Sequence, residues 1–318
     1  MPTPPAENEV LDYLDTLSNW GRWGDDDELG TLNLITPEKR RAAAALVQEG
    51  VSVSCSWEIE TRPQPDHAFG TPQRYMLSTG QGLNDEHRVG ATGARNAGAL
   101  EFIGFIFHGY AITHIDGLCH FFWDSKMYNG KPAELVTSGL GATHHAITAL
   151  RDGIVTRGVL LDVAAAQDRP WLDPGEGAFP EHLEAAEARQ NVRVEPGDAV
   201  LLRTGYGRKK GELGREQLPA NGYPGWHAAS LPWLHERGAA VIGADTAQDA
   251  MPSGYTAMNQ PVHIVSLTAM GLHLIDNCNL EQLAETCERL GRWEFQFVLS
   301  PLRMSGGTGS PANPLAIF

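Results

Sequence analysis

The chain has 318 residues, 42% of them hydrophobic, which is enough for a large core in one big domain or two modest ones. Its net charge of −15 and the lack of a basic stripe with interleaved aromatic residues argue against binding to nucleic acids and anionic membranes. With no apolar run of membrane-spanning length, no secretory signal and four scattered cysteines, the sequence predicts a cytoplasmic protein with reduced thiols.

The first hundred residues predict few regular elements. Thr36 and Pro37 have the N-cap and first-turn preferences of a helix, which is predicted to end at Gly50. Residues 51–60 alternate and predict a strand, whereas residues 61–100 are rich in proline, glycine and polar residues and predict a long loop. Two interpretations of this loop stay open, a cover over a site and a disordered excursion. We expect a single domain over residues 1–318, with 1–36 as an N-terminal arm.

The rest of the chain alternates between strands and helices. Residues 101–107 predict a buried strand that leads directly into a histidine-rich segment. Further strands are predicted at 158–163, 199–205, 239–245, 272–276 and 293–301, and helices at 143–150, 180–191, 226–237, 261–270 and 279–291. This alternation predicts an α/β fold with a mixed sheet and flanking helices.

The histidine-rich segment, residues 108–123, carries the most informative pattern, HGYAITHIDGLCHFFW. It holds His108, His114, Asp116 and His120. In an extended segment the side chains of His114 and Asp116 point to one face, because they are two residues apart. Imidazole and carboxylate donors suit Zn²⁺ or Mn²⁺. Histidines bonded to loop backbone are the alternative, but four such side chains within thirteen residues favour a metal site.

This segment resembles the metal motif of the cyclase family that contains bacterial kynurenine formamidase, isatin hydrolase and metal-dependent dienelactone hydrolase. That motif reads His-x-Gly-Thr-His-x-Asp-x-Pro-x-His, and Thr113, His114, Asp116 and His120 match it in order and spacing. The resemblance implies that His114 and Asp116 bind the metal and that His120 transfers a proton. Tyr110 takes the place of the first metal histidine, so we expect one Mn²⁺ or Zn²⁺ ion per chain and assign Tyr110 to substrate binding. His108 is two residues too early for that place, but a loop could carry it to the metal.

The resemblance continues on both sides of the motif. His263, before a predicted helix, and Asp276, after a short strand, fit the places of two further metal ligands, with Asp276 replacing the usual glutamate. Trp20 and Trp23 lie in a glycine-flanked segment that is typical of longer family members, and either substrate binding or core packing would explain them. The resemblance also implies the swivelling β/β/α fold and a homodimer or homotetramer.

These observations predict a metal-dependent hydrolase that opens an amide, imide or lactone bond in a small organic substrate, including cyclic and aromatic ones. A bound divalent metal lowers the pKa of water and polarises a carbonyl group, and a histidine such as His120 suits the proton transfer. Two alternatives remain open. One is a metal-dependent lyase, dehydratase or cyclase that moves a proton beside a carbonyl group. The other is a non-catalytic ligand-binding protein, with which Tyr110 is consistent.

Overall fold

The computed structural model describes residues 2–81 and 98–318. Its helices are α1 (Glu7–Thr16), α2 (Pro37–Ala44), α3 (Val163–Ala166), α4 (Pro180–Gln190), α5 (Tyr206–Leu213), α6 (Ser230–Arg237), α7 (Pro261–Ile264) and α8 (Glu281–Leu290), and a π-helical segment, Val265–Met270, continues α7. Short 3₁₀ turns lie at Gly30–Leu34, Tyr128–Gly130, Ala133–Leu135 and Ile147–Leu150. Among these helices, none has both the length and the apolar character that crossing a bilayer requires.

The strands of the described residues form one large sheet and three small pairs. They are β1 (Ser52–Ser54), β2 (Gln73–Ser78), β3 (Leu100–Gly104), β4 (His114–Asp116), β5 (Val136–Thr137), β6 (Gly141–Ala142), β7 (Ile154–Asp162), β8 (Gly177–Ala178), β9 (Ala199–Arg203), β10 (Gly225–Trp226), β11 (Val241–Ala244), β12 (His273–Asp276), β13 (Glu294–Leu299), β14 (Gly309–Pro311) and β15 (Leu315–Ile317). Nine of them form a sheet in the order β1-β15-β13-β7-β9-β11-β12-β4-β14. Its centre, from β7 to β12, is parallel and its flanks are antiparallel, which confirms the predicted mixed α/β fold.

The large sheet is buried on both faces. Val159 and Leu161 of β7 pack into one apolar cluster with Leu183 of α4, whereas Leu160 between them packs into a second cluster with Leu283 of α8. Full burial of each such side chain contributes roughly 1.5–3 kcal/mol. Burial on both faces explains why the central strands are continuous apolar runs rather than alternating ones.

The N-terminal segment packs against the body of the protein. Val10 and Tyr13 of α1 and the following Leu17 belong to the first apolar cluster. Asn19 donates a hydrogen bond from Nδ2 to the carbonyl oxygen of Met270 at 2.8 Å. The N-terminal segment, predicted as an arm, therefore packs on the body of the protein through these buried side chains.

Two predicted elements near the N-terminus are shorter in the structure. The first helix begins after Thr36, whose hydroxyl accepts a hydrogen bond from the backbone N–H of Lys39, as the N-cap preference predicts. It ends at Ala44 instead of Gly50. Only Ser52–Ser54 of the predicted strand 51–60 pair with a neighbour, because β15 is itself three residues long.

The prediction of a buried strand at 101–107 is wrong in its burial. β3 pairs only with β2, outside the large sheet, and its side chains are exposed or half-buried. An apolar composition suggests a core strand, but such a strand is buried only if it pairs within the large sheet, and β3 does not. The predicted loop 61–100 accordingly contains β2, and its residues 82–97 lie outside the described part of the chain. The predicted helix at 143–150 is a single 3₁₀ turn, Ile147–Leu150.

Candidate metal centre

Strand β4 brings His114 and Asp116 to one face of the sheet. Its middle residue, Ile115, points the other way into the second apolar cluster, as the two-residue spacing predicts. The antiparallel neighbour β12 places Asp276 directly opposite His114. Cross-strand partners have neighbouring side chains, so two sequence-distant residues meet at one point. All three side chains are buried.

His263, from the first turn of α7, completes a group of four side chains around a common centre. His114 Nε2 lies 3.5 Å from Asp116 Oδ1 and 3.8 Å from Asp276 Oδ2. His263 Nε2 lies 3.4 Å from Asp276 Oδ2 and 3.8 Å from Asp116 Oδ2. The structure thus brings together four of the predicted ligands, and we call them the metal cluster.

Three of the four carboxylate oxygens of the metal cluster make no hydrogen bond of normal geometry among the described residues. Both oxygens of Asp116 and Oδ1 of Asp276 are buried in this state, with imidazole nitrogens near those of Asp116. A buried carboxylate without compensation is strongly unfavourable, so these oxygens indicate a missing positive partner. Two imidazole nitrogens and two carboxylates form a donor set that suits Zn²⁺ or Mn²⁺. The residues present therefore fit a divalent cation.

Hydrogen bonds outside the metal cluster fix the orientation of both imidazoles. His114 Nδ1 lies 2.8 Å from the carbonyl oxygen of Ile112, and His263 Nδ1 lies 2.6 Å from Asp249 Oδ2. Each contact leaves Nε2 free to face the centre, which is the usual arrangement of histidine ligands to metals. Asp249 also accepts hydrogen bonds from the backbone N–H groups of Val262 and His263, and thereby holds the start of α7.

His108 and His120 lie on one side of the metal cluster. Their rings stack in parallel, with centroids 3.7 Å apart. His108 Nδ1 is 3.0 Å from Asp116 Oδ1, and His120 Nε2 is 3.9 Å from the same oxygen. His108, Asp116 and His120 form a second group with metal-ligand spacing that overlaps the metal cluster at Asp116. The loop therefore does carry His108 to the site, as the sequence suggests.

The electrostatics of the site favour a bound cation. Burial raises the pKa of the Asp116 carboxyl, but the neighbouring imidazoles of His120, His108 and His114 together bring it below its usual range. Burial lowers the pKa of His263, yet Asp276 and Asp249 raise it well above its usual value. Negative charge thus dominates around His263, and a divalent cation would supply the compensation that protonation otherwise provides.

Tyr110 and the two tryptophans differ in their placement. Tyr110 is half-buried, stacks on Phe69 with ring centroids 6.3 Å apart, and lies in the loop that carries His108. Trp20 donates from Nε1 to the carbonyl oxygen of Thr268, and Arg22 lies over the ring of Trp23. These contacts join the tryptophans to the N-terminal segment and to the π-helical segment, but Trp20 is exposed and Trp23 is half-buried, so neither is a core residue. Substrate binding by Trp20 and Trp23 stays a prediction.

Three residues that support the site are missed by the sequence analysis. Asp249 orients His263, Asn277 donates from Nδ2 to the carbonyl oxygens of Gly109 and Ile112, and Thr308 lies 3.1 Å from His108 Nε2 through its hydroxyl. Asp249 follows β11 by five residues, and Thr308 directly precedes β14. No local spacing links Asp249 to His263, Thr308 to His108, or Asn277 to the loop that it holds.

Replacing Asp249 with asparagine is expected to weaken metal binding about 10- to 100-fold, which is the usual effect of losing such an outer partner of a ligand. The asparagine oxygen can still accept from the backbone of α7, so the fold should persist. The affinity is measured by competition with a chromogenic chelator. Asp245→Asn is the matched control, because Asp245 is also buried but bonds Thr204 and Tyr206. Equal metal affinity in both variants would contradict the role of Asp249.

Comparison with known proteins identifies similar chains. The Cyclase family model matches residues 104–248. A crystal structure described as a novel cyclase superposes with a TM-score of 0.87 at 32% sequence identity, and the match covers 96% of this chain and 99% of that one. No protein with a curated function matches the chain.

More distant solved structures share the fold. Isatin hydrolase A from Ralstonia solanacearum gives a TM-score of 0.59 at 20% identity, covering 88% of this chain and 97% of its own. Isatin hydrolase A from Labrenzia aggregata, bound to benzyl benzoate, gives 0.57 at 19% identity, covering 86% and 94%. Together with the novel cyclase, they confirm the fold that the sequence resemblance implies.

Proposed function

Because the chain belongs to the cyclase family, we propose that it is a metal-dependent hydrolase that opens an amide, imide or lactone bond in a small organic substrate. The observation that carries this proposal is the metal cluster. His114, Asp116, His263 and Asp276 converge from three separate elements, and three of the four carboxylate oxygens make no hydrogen bond of normal geometry among the described residues. A purely structural role leaves these buried charges without compensation.

The proposed cofactor is one Mn²⁺ or Zn²⁺ ion per chain, held by these four residues. When bound, such an ion polarises a carbonyl group and lowers the pKa of water. His108 is the alternative ligand, since its Nδ1 also faces Asp116. Its Nε2 already contacts Thr308, which fixes the ring plane and suits either ligation or packing against His120.

His120 is the proposed proton-transfer residue. Burial lowers its pKa to about 4, against the attraction of Asp116, so the imidazole is neutral near pH 7 and can accept a proton from water. The protonated imidazole can then return that proton to the leaving nitrogen or oxygen of the substrate when the carbonyl–heteroatom bond breaks. Its stacking on His108 restricts the ring to one plane.

Aromatic side chains around the metal cluster support a planar substrate. The ring centroid of Phe121 lies 5.0 Å from that of His263, and the centroid of Phe107 lies 4.5 Å from that of His108. Tyr110, two residues after His108, stacks on Phe69. Flat apolar rings bind well against such surfaces. The isatin hydrolases act on a cyclic aromatic amide, as their name states, and we propose a substrate of this kind here.

Incubation in ¹⁸O-labelled water tests the reaction type. The metal-loaded protein is screened against isatin, aryl lactones and N-formyl aryl amines, and products are analysed by mass spectrometry. We expect one ¹⁸O atom in the acid product and none with Asp116→Ala. A product without the label would instead indicate a lyase or cyclase. A wild-type protein that takes up no metal and binds these compounds without converting them would indicate a non-catalytic binding protein.

A further inference from the structure

Two tyrosines meet beside the metal cluster, and neither is used by the proposed mechanism. The rings of Tyr110 and Tyr223 have centroids 5.6 Å apart and are tilted by 54°. Tyr110 lies in the loop that Asn277 anchors, two residues after His108. Tyr223 pairs across an isolated bridge with Met251, close in sequence to Asp249.

The hydroxyl group of Tyr223 is buried beside that of Tyr110. Tyr223 is 1% exposed, and among the described residues its Oη has no hydrogen bond of normal geometry, although the hydroxyl of Tyr110 lies close enough to interact with it. Leaving a buried hydroxyl unsatisfied costs roughly 1–3 kcal/mol, and phenylalanine would fill the same space without that cost. The hydroxyl is therefore unexplained by packing alone.

The carboxylates of Asp249 and Asp276 lie near enough to both phenols to affect them electrostatically. Burial raises the pKa of Tyr223, and Tyr110, Asp249 and Asp276 raise it further. Burial also raises the pKa of Tyr110, its contact with Tyr223 lowers it, and Asp276 and Asp249 raise it. A phenol can donate a hydrogen bond, whereas the carboxylates of the metal cluster can only accept one.

We propose that Tyr110 and Tyr223 form a pair of hydrogen-bond donors that binds the carbonyl oxygen of the substrate at the metal centre. The inference rests on the proposed function, and it adds a binding role for the residue that replaces the family's first metal histidine. Tyr110 donates to the oxygen from the loop side, and Tyr223 donates from the buried side. Both tyrosines keep their protons throughout, so they hold the carbonyl group in place while His120 handles the transferred proton.

An apolar cluster around the two tyrosines holds their rings in place. Tyr223 packs with Tyr206, Leu218 and Ala247, and Tyr110 packs against the edge of this group. These contacts restrict the rings of both tyrosines. A rigid pair of donors loses little conformational freedom when a ligand binds, which favours affinity.

The test compares Tyr110→Phe and Tyr223→Phe with wild type and with Tyr206→Phe. Tyr206 is the matched control, because it is a buried tyrosine of the same apolar cluster. Burial raises its pKa, and the charges that raise it further are those of Glu216, Asp66 and Asp245 rather than those of the metal cluster. Each protein is loaded with Mn²⁺ and its metal content is measured. Benzohydroxamate, which carries a carbonyl oxygen beside a metal-binding oxygen, is then titrated by calorimetry.

We expect unchanged metal content in all four proteins and about tenfold weaker benzohydroxamate binding in Tyr110→Phe and Tyr223→Phe, the effect of losing one hydrogen bond of typical strength. Tyr206→Phe should bind the probe like wild type. Equal affinity in all variants would overturn the proposal, as would loss of metal in Tyr110→Phe, since Tyr110 would then be a ligand. Failure of wild type itself to bind metal or probe would instead refute the proposed function.

Discussion

Replacing Asp116 with alanine is expected to reduce the metal content from about one ion per chain to less than about a tenth of that, and to abolish activity. Asp116 is the shared member of both groups of potential ligands, and its two oxygens face different imidazoles. Its loss removes a negative charge as well as metal-binding oxygens, and no other described carboxylate of the site belongs to both groups. Elemental analysis of the purified variant gives the result directly.

The same variant separates metal binding from folding. In the metal-free protein the contacts of the Asp116 carboxylate are with the neighbouring imidazoles of His108, His114 and His263, so its removal should leave the protein folded. Circular dichroism during heating checks this expectation. Asp245→Asn again serves as the control for a buried carboxylate away from the site. An Asp116→Ala protein with its full metal content would show that the ion is held elsewhere.

Replacing His120 with asparagine is expected to lower kcat by about 100- to 10,000-fold while the metal content and the fold persist. Asparagine keeps a polar side chain of similar reach but cannot accept a proton near neutral pH. In wild type the base must be deprotonated, so kcat/KM should fall as the pH falls through the pKa of His120, which burial lowers to about 4. That acidic limb should disappear from the residual activity of the variant.

A loss of metal in His120→Asn would instead identify His120 as a metal ligand. His120, His108 and Asp116 have metal-ligand spacing, so ligation is the specific alternative to proton transfer. Steady-state rates and metal content measured on the same sample distinguish the two roles. His144, which lies outside the metal cluster, provides a matched control through His144→Asn, for which neither quantity should change.

The centre of the site is predictable from the sequence because its geometry is local. His114 and Asp116 are two residues apart in a segment that does form a strand, and alternation alone places both on one face. Asp276 and His263 are found only through the family resemblance. The structure gives the physical reason for their convergence, which is the pairing of β12 with β4 and the start of α7 beside them.

The supporting contacts depend on tertiary structure and are beyond the sequence patterns. The carboxylate of Asp249 reaches His263 across 14 residues of chain, and the hydroxyl of Thr308 reaches His108 across 200. Neither separation along the chain corresponds to the repeat of a helix or a strand. The exposure of β3 is a similar case, because an apolar strand is buried only if the large sheet accepts it.

Anomalous diffraction from crystals grown with Mn²⁺ or Zn²⁺ tests the central claim most directly. We predict one strong peak per chain, about 2.0–2.3 Å from His114 Nε2, His263 Nε2 and oxygens of Asp116 and Asp276. Data collected on both sides of the absorption edge identify the element. A peak bound by other side chains, or crystals with no peak among these four residues at saturating metal, would contradict the assignment of this cluster as the metal centre.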